Sequence, residues 1–177
     1  KKKKKWLGDG NSHSPRIINN EPEVIEYLKD YAKRNGMEAK TYKDKRNGCI
    51  TTSVTGDGGS KYESLNYKLR ALGLIGGKFI PDDYLRSSRE QRLQLLAGLL
   101  DTDGYAKGGV FYISQSNEEI AWRIAHLADS LGFTTSWRWK KAKCQTGTFP
   151  CVSVIISGNV GEIPVRVARR KIDFFFF

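Results

Sequence analysis

Two aspartates stand at the end of a predicted helix, where carboxylates are electrostatically unfavourable. Asp101 and Asp103 follow the apolar run Leu95–Leu100 and precede Gly104. The C-terminal end of a helix carries partial negative charge, so each carboxylate there costs a few tenths to about 1 kcal/mol unless a cation compensates. An isolated Asp-Gly pair usually marks only a turn. Two acids after so long an apolar run instead favour a bound cation.

A helix is predicted to carry these acids. The segment Ser87–Glu90 has the pattern of a capping box, in which a serine and Glu90 satisfy free amide donors. Gly98 in the middle of the helix predicts the close approach of another backbone, because only glycine leaves that space. The apolar residues that follow recur at i, i+3, i+4 and i+7, and we expect this face to be buried: Leu93, Leu96, Ala97 and Leu100.

A shorter copy of this pattern occurs at the start of the chain. Trp6–Gly10 ends in the same Asp-Gly pair. Asn20–Glu23 then caps a helix that Gly36 ends, and Ser116–Glu119 caps a matching helix that Gly132 ends. The apolar stripes are predicted to be Val24, Leu28, Tyr31 and Ala32 in the first helix, and Ile120, Ile124, Leu127 and Ala128 in the second. The cap, the apolar stripe and the terminating glycine coincide in the two copies, which indicates an internal duplication with a period of about 95 residues.

Each copy is predicted to continue with β-hairpins and a third helix. The predicted strands and helices are Met37–Lys43 with Cys49–Thr55, Tyr105–Lys107 with Val110–Gln115, Phe133–Lys141 with Pro150–Ser157, and the helices Glu63–Leu74 and Gly161–Lys171. Both halves therefore follow an αββαββα order in a mixed α+β fold. We assign residues 1–75 to the first half, 76–86 to a linker and 87–173 to the second half.

The segment Leu96–Gly104 resembles the signature of the LAGLIDADG homing endonucleases. It matches seven of nine positions and departs at Leu100 and Thr102. The resemblance covers nearly the whole chain and implies two pseudo-symmetric halves. Their leading helices would pack side by side at the centre, and their antiparallel sheets would form one long saddle. Lys1–Lys5 depart from it, because ammonium groups stand where the first helix of the family is apolar. Lys1–Lys5 and Phe174–Phe177 are homopolymers, and we draw no targeting inference from them.

The resemblance also implies which residues bind metal and cleave. The last acid of each motif is the catalytic metal ligand in that family, which corresponds to Asp9 and Asp103. The residues that precede them, Gly8 and Thr102, are carried over as further metal ligands. The implied cofactor is Mg²⁺, with Mn²⁺ as a substitute. Mg²⁺ prefers oxygen ligands and keeps several waters, so it needs few protein groups.

A basic residue is expected beside each acid. Lys78 lies in a Lys-x-Ile-Pro context similar to that of the catalytic lysine in intein-encoded members of the family. Its counterpart in the second half is either Arg166 or Lys171, which follow Ile163-Pro164. An arginine there neutralises charge but does not act as a base, because its guanidinium stays protonated.

Composition and strand alternation indicate nucleic acid as the partner. The formal charge is +11, and +6 remains without Lys1–Lys5. In Thr135–Lys140, we expect the two tryptophans to lie in the core and the polar residues to face DNA. Lys141 and Lys143 are predicted loop residues that contact phosphates. The remaining predicted DNA-binding residues are Arg16, Lys40, Tyr42, Lys45, Arg46, Ser136, Arg138 and Lys140.

We therefore expect a monomeric, Mg²⁺-dependent endonuclease that makes a staggered break in a long asymmetric duplex site, most similar to the endonuclease domain of an intein. The alternatives are a DNA-binding protein of this fold without cleavage activity and an RNA maturase. The three cysteines have no metal-ligand spacing, and the sequence contains no long apolar run. These features predict an intracellular location, in the nucleus if the source is eukaryotic and otherwise in the cytoplasm.

Overall fold

In the computed structural model, which describes residues 6–11, 13–56, 64–144 and 147–172, the chain divides into two units. These are Lys1–Phe79 and Ile80–Phe177. The homopolymeric ends fall outside the described residues, and so does Glu63, the predicted first residue of a helix. Among the described residues, no helix is long and apolar enough to span a membrane.

Helix α5 (Arg89–Asp103) organises the second unit. Its N-cap is Ser88, whose hydroxyl accepts a hydrogen bond from Gln91 N at 3.3 Å. The helix therefore begins one residue later than a capping box between Ser87 and Glu90 would place it. Every residue from Leu95 to Thr102 is buried, whereas Leu93 is only half-buried. The expectation of a single buried face is therefore wrong, because the second half of the helix is enclosed on all sides.

A four-stranded antiparallel sheet follows α5 directly. Its strands are β4 (Gly104–Lys107), β5 (Val110–Gln115), β6 (Thr134–Cys144) and β7 (Gly147–Ser157), and their order in the sheet is β4-β5-β7-β6. Helix α6 (Glu118–Asp129) lies against the sheet and buries Ile124, Leu127 and Ala128 of the predicted stripe, whereas Ile120 is only half-buried.

The third helix predicted for the second half, Gly161–Lys171, does not form. The segment contains two 3₁₀ turns, Val160–Glu162 and Ala168–Arg170. Pro164 lacks an N–H donor and disfavours helical backbone at the preceding residue. Asp101 holds the chain in its extended path, since its Oδ1 accepts from the backbone N–H groups of Arg166 (2.8 Å) and Val167 (3.0 Å).

The first unit repeats this plan with fewer residues. Its elements are α1 (Trp6–Asp9), β1 (Arg16–Ile18), α2 (Pro22–Lys33), β2 (Met37–Lys43), β3 (Ile50–Gly56) and α3 (Leu65–Ala71), and a short helix α4 (Asp82–Leu85) opens the second unit. The sheet has the order β1-β3-β2. Among the described residues, the strand that would pair with β1 is reduced to an isolated bridge between Gly10 and Ile17, so neither half shows the complete αββαββα order there.

The mixed α+β class with antiparallel sheets is confirmed. Helix α2 buries the four predicted residues Val24, Leu28, Tyr31 and Ala32. Tight glycine turns connect several elements where a positive φ is needed, as at Gly108 (58°) and Gly109 (75°) between β4 and β5.

The two hydrogen bonds to Asp101 give a stability prediction. The Asp101→Ala variant leaves the Arg166 and Val167 N–H groups without their acceptor, and we expect the free energy of unfolding to fall by about 3 kcal/mol. Urea denaturation followed by circular dichroism measures this. The matched control is Asp30→Ala, which removes an exposed carboxylate of α2 and changes stability by less than about 0.5 kcal/mol. Equal effects of both variants would contradict the assignment.

Candidate active site and nucleic-acid interface

In the first unit, Asp9 ends helix α1, and an amide side chain fixes its carboxylate. Asn19 Nδ2 donates a short hydrogen bond to Asp9 Oδ2. Asn19 is the first residue after β1, and its own side-chain oxygen accepts from Glu21 N at 2.7 Å at the start of α2. The acid is therefore oriented by a residue that is itself held in place. Asp9 is half-buried, so its carboxylate is not enclosed.

Lys78 lies beside the same helix end although 70 residues separate it from Gly8. Its ammonium group donates to the backbone carbonyl of Gly8. The chain reaches this point through a turn at Gly76, which has φ of 96°, a region that favours glycine. The structure thus brings together the predicted Asp9, Gly8 and Lys78.

In the second unit, Asp103 has a matching environment. Gln115 Nε2 donates to Asp103 Oδ2 at 3.1 Å, and Gln115 is the last residue of β5. Strand β4 begins at Gly104, directly after Asp103, because a glycine at this position allows the chain to turn. A Cβ at Gly104 would lie 2.8 Å from Leu100 Cδ2 and 2.9 Å from Leu100 Cα, so any larger residue clashes there.

A buried arginine, Arg170, occupies the place that Lys78 has in the first unit. Its guanidinium donates to the carbonyl oxygens of Leu100 at 3.0 Å and Thr102 at 3.3 Å. Arg170 is only 5% exposed. Thr102 precedes Asp103 as Gly8 precedes Asp9, so each cation contacts the carbonyl that adjoins the acid.

Sequence reasoning named the neighbours Arg166 and Lys171 and missed Arg170, Asn19 and Gln115. Arg166 and Lys171 are both exposed, and Arg166 gives its backbone N–H to Asp101. A signal for Arg170 was present in the sequence. It stands two residues before Ile172, as Lys78 stands two residues before Ile80.

The donor groups of both sites fit a hard divalent cation. Asp9 and Asp103 supply carboxylate oxygens, and Gly8 and Thr102 supply carbonyl oxygens that already accept from Lys78 and Arg170. In the described part of the chain, no cluster of three His, Cys, Asp or Glu residues occurs. This donor set fits Mg²⁺, which is held through one or two carboxylates and retains waters. It does not fit zinc, which takes four protein groups in structural sites.

In the first unit, the predicted DNA-binding residues of the strands share one sheet face. Lys40 pairs with Ser53 and Tyr42 with Thr51, while Arg16 also pairs with Ser53. Since residues directly opposite in a sheet lie on the same side, this face carries the side chains of Arg16, Lys40 and Tyr42. The opposite face contains the buried residues Ile17, Met37, Thr52 and Val54.

In the first unit, the predicted DNA-binding residues Lys45 and Arg46 lie in a turn after β2 and are exposed. The Arg46 guanidinium forms an ion pair with Asp44 at 3.2 Å, and its hydrogen bond holds the pKa of the Asp44 carboxyl below the ordinary value. Arg46 thus already has an acidic neighbour.

In the second unit, Ser136, Arg138 and Lys140 lie on one face of β6. Their partners in β7 are Ile155, Ser153 and Cys151. The four strands of this sheet contain no Asp or Glu, and Arg138 and Lys140 lie on the face away from α6. This face is therefore basic and free of the strand carboxylates that would repel a polyanion.

Lys141 and Lys143 differ from their predicted placement. They lie within β6 and pair with Pro150 and Thr148, because the hairpin extends to Cys144. By strand alternation their side chains are on the face opposite to Arg138 and Lys140.

The tryptophans of β6 are not core residues, although they lie on the helix side of the sheet as expected. Trp137 is 44% exposed and Trp139 is 54% exposed. Trp137 packs edge-on against Trp122 of α6, with ring centroids 4.6 Å apart. Trp122 is itself 44% exposed. Helix α6 therefore covers the part of the β6–β7 hairpin around Trp137 and Trp139 only incompletely.

Comparison with solved structures defines the class of the fold. Mesophilic variants of the homing endonuclease I-DmoI match with a TM-score of 0.59 and 11% identity, over 88% of this chain and 85% of theirs. I-DmoI in complex with DNA and Mn matches with a TM-score of 0.54 and 11% identity, over 82% and 74% of the two chains. A variant of I-DmoI with its target DNA in the presence of Mg gives 0.55 and 13%, again over 82% and 74%. The fold is that of the LAGLIDADG homing endonucleases.

Sequence comparison agrees with the fold. Residues 80–163 match the family model described as homing endonuclease. The replicative DNA helicase DnaB of Mycobacterium intracellulare is 34% identical over 144 residues, which is 81% of this chain but 19% of that protein. The chain therefore spans about a fifth of the length of this relative. Together with the fold, these matches confirm the resemblance to the LAGLIDADG homing endonucleases, with the family model matching over residues 80–163.

The opposite orientations of neighbouring basic residues in β6 give a binding prediction. We expect Arg138→Ala to weaken binding to a specific duplex by about 1–3 kcal/mol and to relax its sequence preference. The matched control, Lys141→Ala, lies on the opposite face and is expected to change affinity by less than about twofold. Fluorescence anisotropy at one fixed salt concentration, with Ca²⁺ in place of Mg²⁺, measures both. A larger effect of Lys141→Ala would show that the wrong face has been assigned to DNA.

Proposed function

We propose that this chain is a site-specific DNA endonuclease that makes a staggered double-strand break in a long, asymmetric duplex site as a monomer. The reaction is Mg²⁺-dependent hydrolysis of one phosphodiester bond in each strand. The domain is encoded within an intein and is intracellular, in the nucleus or the cytoplasm according to its source.

One observation carries this proposal: each half has an acid at a helix end, an amide donor on that acid and a cation on the adjoining carbonyl. The two sets are Asp9, Asn19 and Lys78 in the first unit, and Asp103, Gln115 and Arg170 in the second. A pure DNA-binding protein has no use for two such sets. Two sets in one chain match the two strands of one duplex, which supports action as a monomer.

The residues of each set have separable tasks. Asp9 and Asp103, with the carbonyls of Gly8 and Thr102, would hold a divalent ion, which supplies an activated water and stabilises the leaving oxygen. Asn19 and Gln115 orient the carboxylates by hydrogen bonds that a metal ligand retains in its outer shell. Lys78 and Arg170 place positive charge where the phosphate gains negative charge during hydrolysis. Arg166 and Lys171, both exposed, remain candidates for phosphate contact at the second site.

The basic sheet faces supply binding and sequence choice. The face of Arg16, Lys40 and Tyr42 and the face of Ser136, Arg138 and Lys140 belong to separate halves with different side chains. Two unlike faces read an asymmetric site better than a palindrome, because each half-site contacts different donors and acceptors. Lys45 and Arg46, in the exposed turn after β2, would add contacts to phosphates. Lys141 and Lys143 lie on the opposite face of β6 and are not assigned to DNA.

The comparisons support the finer points of this proposal. I-DmoI has been crystallised with DNA together with Mn, Mg or Ca, which supports a duplex substrate and a divalent cofactor here. The similarity to a segment that makes up 19% of a replicative helicase supports the intein context.

The paired acids predict the behaviour of single variants. With Mg²⁺, the unmodified chain is expected to linearise a plasmid that carries its site, and excess EDTA abolishes the reaction. Asp9→Asn and Asp103→Asn each remove one carboxylate and should lower double-strand cleavage by about 100-fold or more while leaving binding intact. Gel analysis of supercoiled, nicked and linear forms measures this, with Asp30→Asn, an exposed helix residue, as the control.

The result separates the rival functions. Specific duplex binding without any cleavage in Mg²⁺ or Mn²⁺ would leave a DNA-binding protein of the same fold. Tighter binding to structured intron RNA than to every selected duplex would favour an RNA maturase.

The amide donors give a strand-specific prediction. Gln115→Met keeps the length of the side chain but removes the donor to Asp103, and we expect cleavage of one strand to slow by about 10- to 100-fold. The other strand, which depends on Asp9 and Asn19, should be cut at an unchanged rate. Denaturing gels with each strand labelled separately measure the two rates. Ser116→Ala, which alters the exposed residue next to Gln115 but not the acid, serves as the control.

Equal slowing of both strands by Gln115→Met would contradict the assignment of one set of residues to each strand.

A further inference from the structure

An apolar row crosses the basic sheet face of the second unit, and the proposed active sites do not use it. Tyr105 of β4 and Tyr112 of β5 lie directly opposite each other in the sheet. Their rings are stacked with centroids 4.8 Å apart and an angle of 7° between their planes. Tyr105 is 42% exposed and Tyr112 is half-buried. The row continues in β7, where Ile155 is the partner of Tyr112 and is half-buried.

Strand alternation places this row on the face away from α6. The neighbours of Tyr112 in β5, Phe111 and Ile113, have no exposed surface and form the core side of the sheet. Tyr112 must then point to the other side. Ile155 is also the partner of Ser136 in β6, so the row Tyr105–Tyr112–Ile155–Ser136 runs across all four strands.

The same face holds the polar residues assigned to DNA. The next row along the strands contains Ser114, Ser153 and Arg138. The hydroxyls of Ser114 and Ser153 are 3.4 Å apart. Lys107 of β4 and Lys140 of β6 are further positive charges on this face. A strip of two tyrosines and an isoleucine therefore lies within a surface whose charge fits nucleic acid.

The strip is suited to a methyl group in the major groove. Among the four bases, only thymine presents a methyl there, and apolar side chains recognise it. Aromatic side chains offer a large contact area with few rotatable bonds, and stacking of the two rings fixes them before binding. The ordering cost of binding is thereby reduced.

We propose that the Tyr105–Tyr112–Ile155 row reads thymine methyl groups in the half-site bound by the second unit. This inference rests on the proposed function, since it assumes that the sheet face binds the major groove of duplex DNA. It assigns part of the sequence specificity to apolar contact, beside the hydrogen bonds of Arg138.

The test uses deoxyuridine, which differs from thymidine at that base only by the missing methyl. The binding site is first identified by selection from a randomised duplex library, with the full chain in Ca²⁺. Each thymine of the site is then replaced singly by uracil, and affinity is measured by anisotropy. We expect one or two thymines in one half-site whose replacement weakens binding roughly fourfold each, the effect of burying one methyl group.

Protein variants connect that effect to the row. With Tyr105→Ser and Tyr112→Ser, the thymine and uracil duplexes should bind equally. Tyr105→Phe and Tyr112→Phe keep the rings and should retain the thymine preference. Tyr67→Ser removes an exposed tyrosine of α3 and should also retain it. The unfolding transition of each variant is recorded to check that the variant is folded. The uracil series on the unmodified chain tests the inference independently of any variant.

The outcomes are distinguishable. Failure to select any duplex site would overturn the proposed function itself. A selected site at which no uracil replacement in either half weakens binding would overturn this inference alone. A thymine preference that survives both serine variants, or is lost in the phenylalanine variants, would also overturn it, because the rings would not be the reading groups.

Discussion

The structure depends on how a helix tolerates carboxylates at its negative end. Helix α5 ends in two aspartates, and the protein stabilises their carboxylates in different ways. Asp101 is buried and accepts two backbone N–H groups from the segment after Pro164. Arg170 covers the carbonyl oxygens of Leu100 and Thr102 and so opposes the helix dipole. With those charges compensated from within the protein, Asp103 at the end of the helix is left with a carboxylate suited to a metal ion.

This constraint also explains why the C-terminal segment is not a helix. A third helix in the second half would withdraw the Arg166 and Val167 N–H groups from Asp101 into its own hydrogen bonds. It would also move Arg170 away from the end of α5. The segment instead forms two short turns around an extended stretch, and the electrostatic balance of the acid-bearing helix end decides its conformation.

The two units use the same plan with unequal parts. An asparagine replaces a glutamine, a lysine replaces an arginine, and a four-residue helix replaces a fifteen-residue one. Lysine is a compact ammonium on a flexible stem, whereas arginine is a planar fork that contacts two carbonyls at once. The duplication therefore retained the positions of charge while the chemical groups diverged. Such divergence suits a protein whose two half-sites differ.

Local patterns predicted a large part of this fold. Residues 37–43 and 110–115 were predicted as strands at their observed bounds, and the apolar stripe of α2 matched the buried residues. The signature around Asp103 indicated the chemistry, because a nine-residue motif carries its own context. These features depend on neighbours in sequence, which periodicity and capping rules describe.

The missed features depend on contacts between distant residues. Gln115 is twelve positions from the acid that it holds, and Arg170 is sixty-eight positions from Thr102. Trp137 and Trp139 have the alternation of core residues, but the strand extends past the helix that would cover them. No local pattern records where that cover ends.

Anomalous scattering from Mn²⁺ in crystals of the chain with its selected duplex would locate the metal ions relative to both acids. We expect anomalous peaks within coordination distance of both the Asp9 and the Asp103 carboxylates, each beside a phosphate of a different strand. Peaks at only one of these residues, or at positions that neither carboxylate reaches, would contradict it.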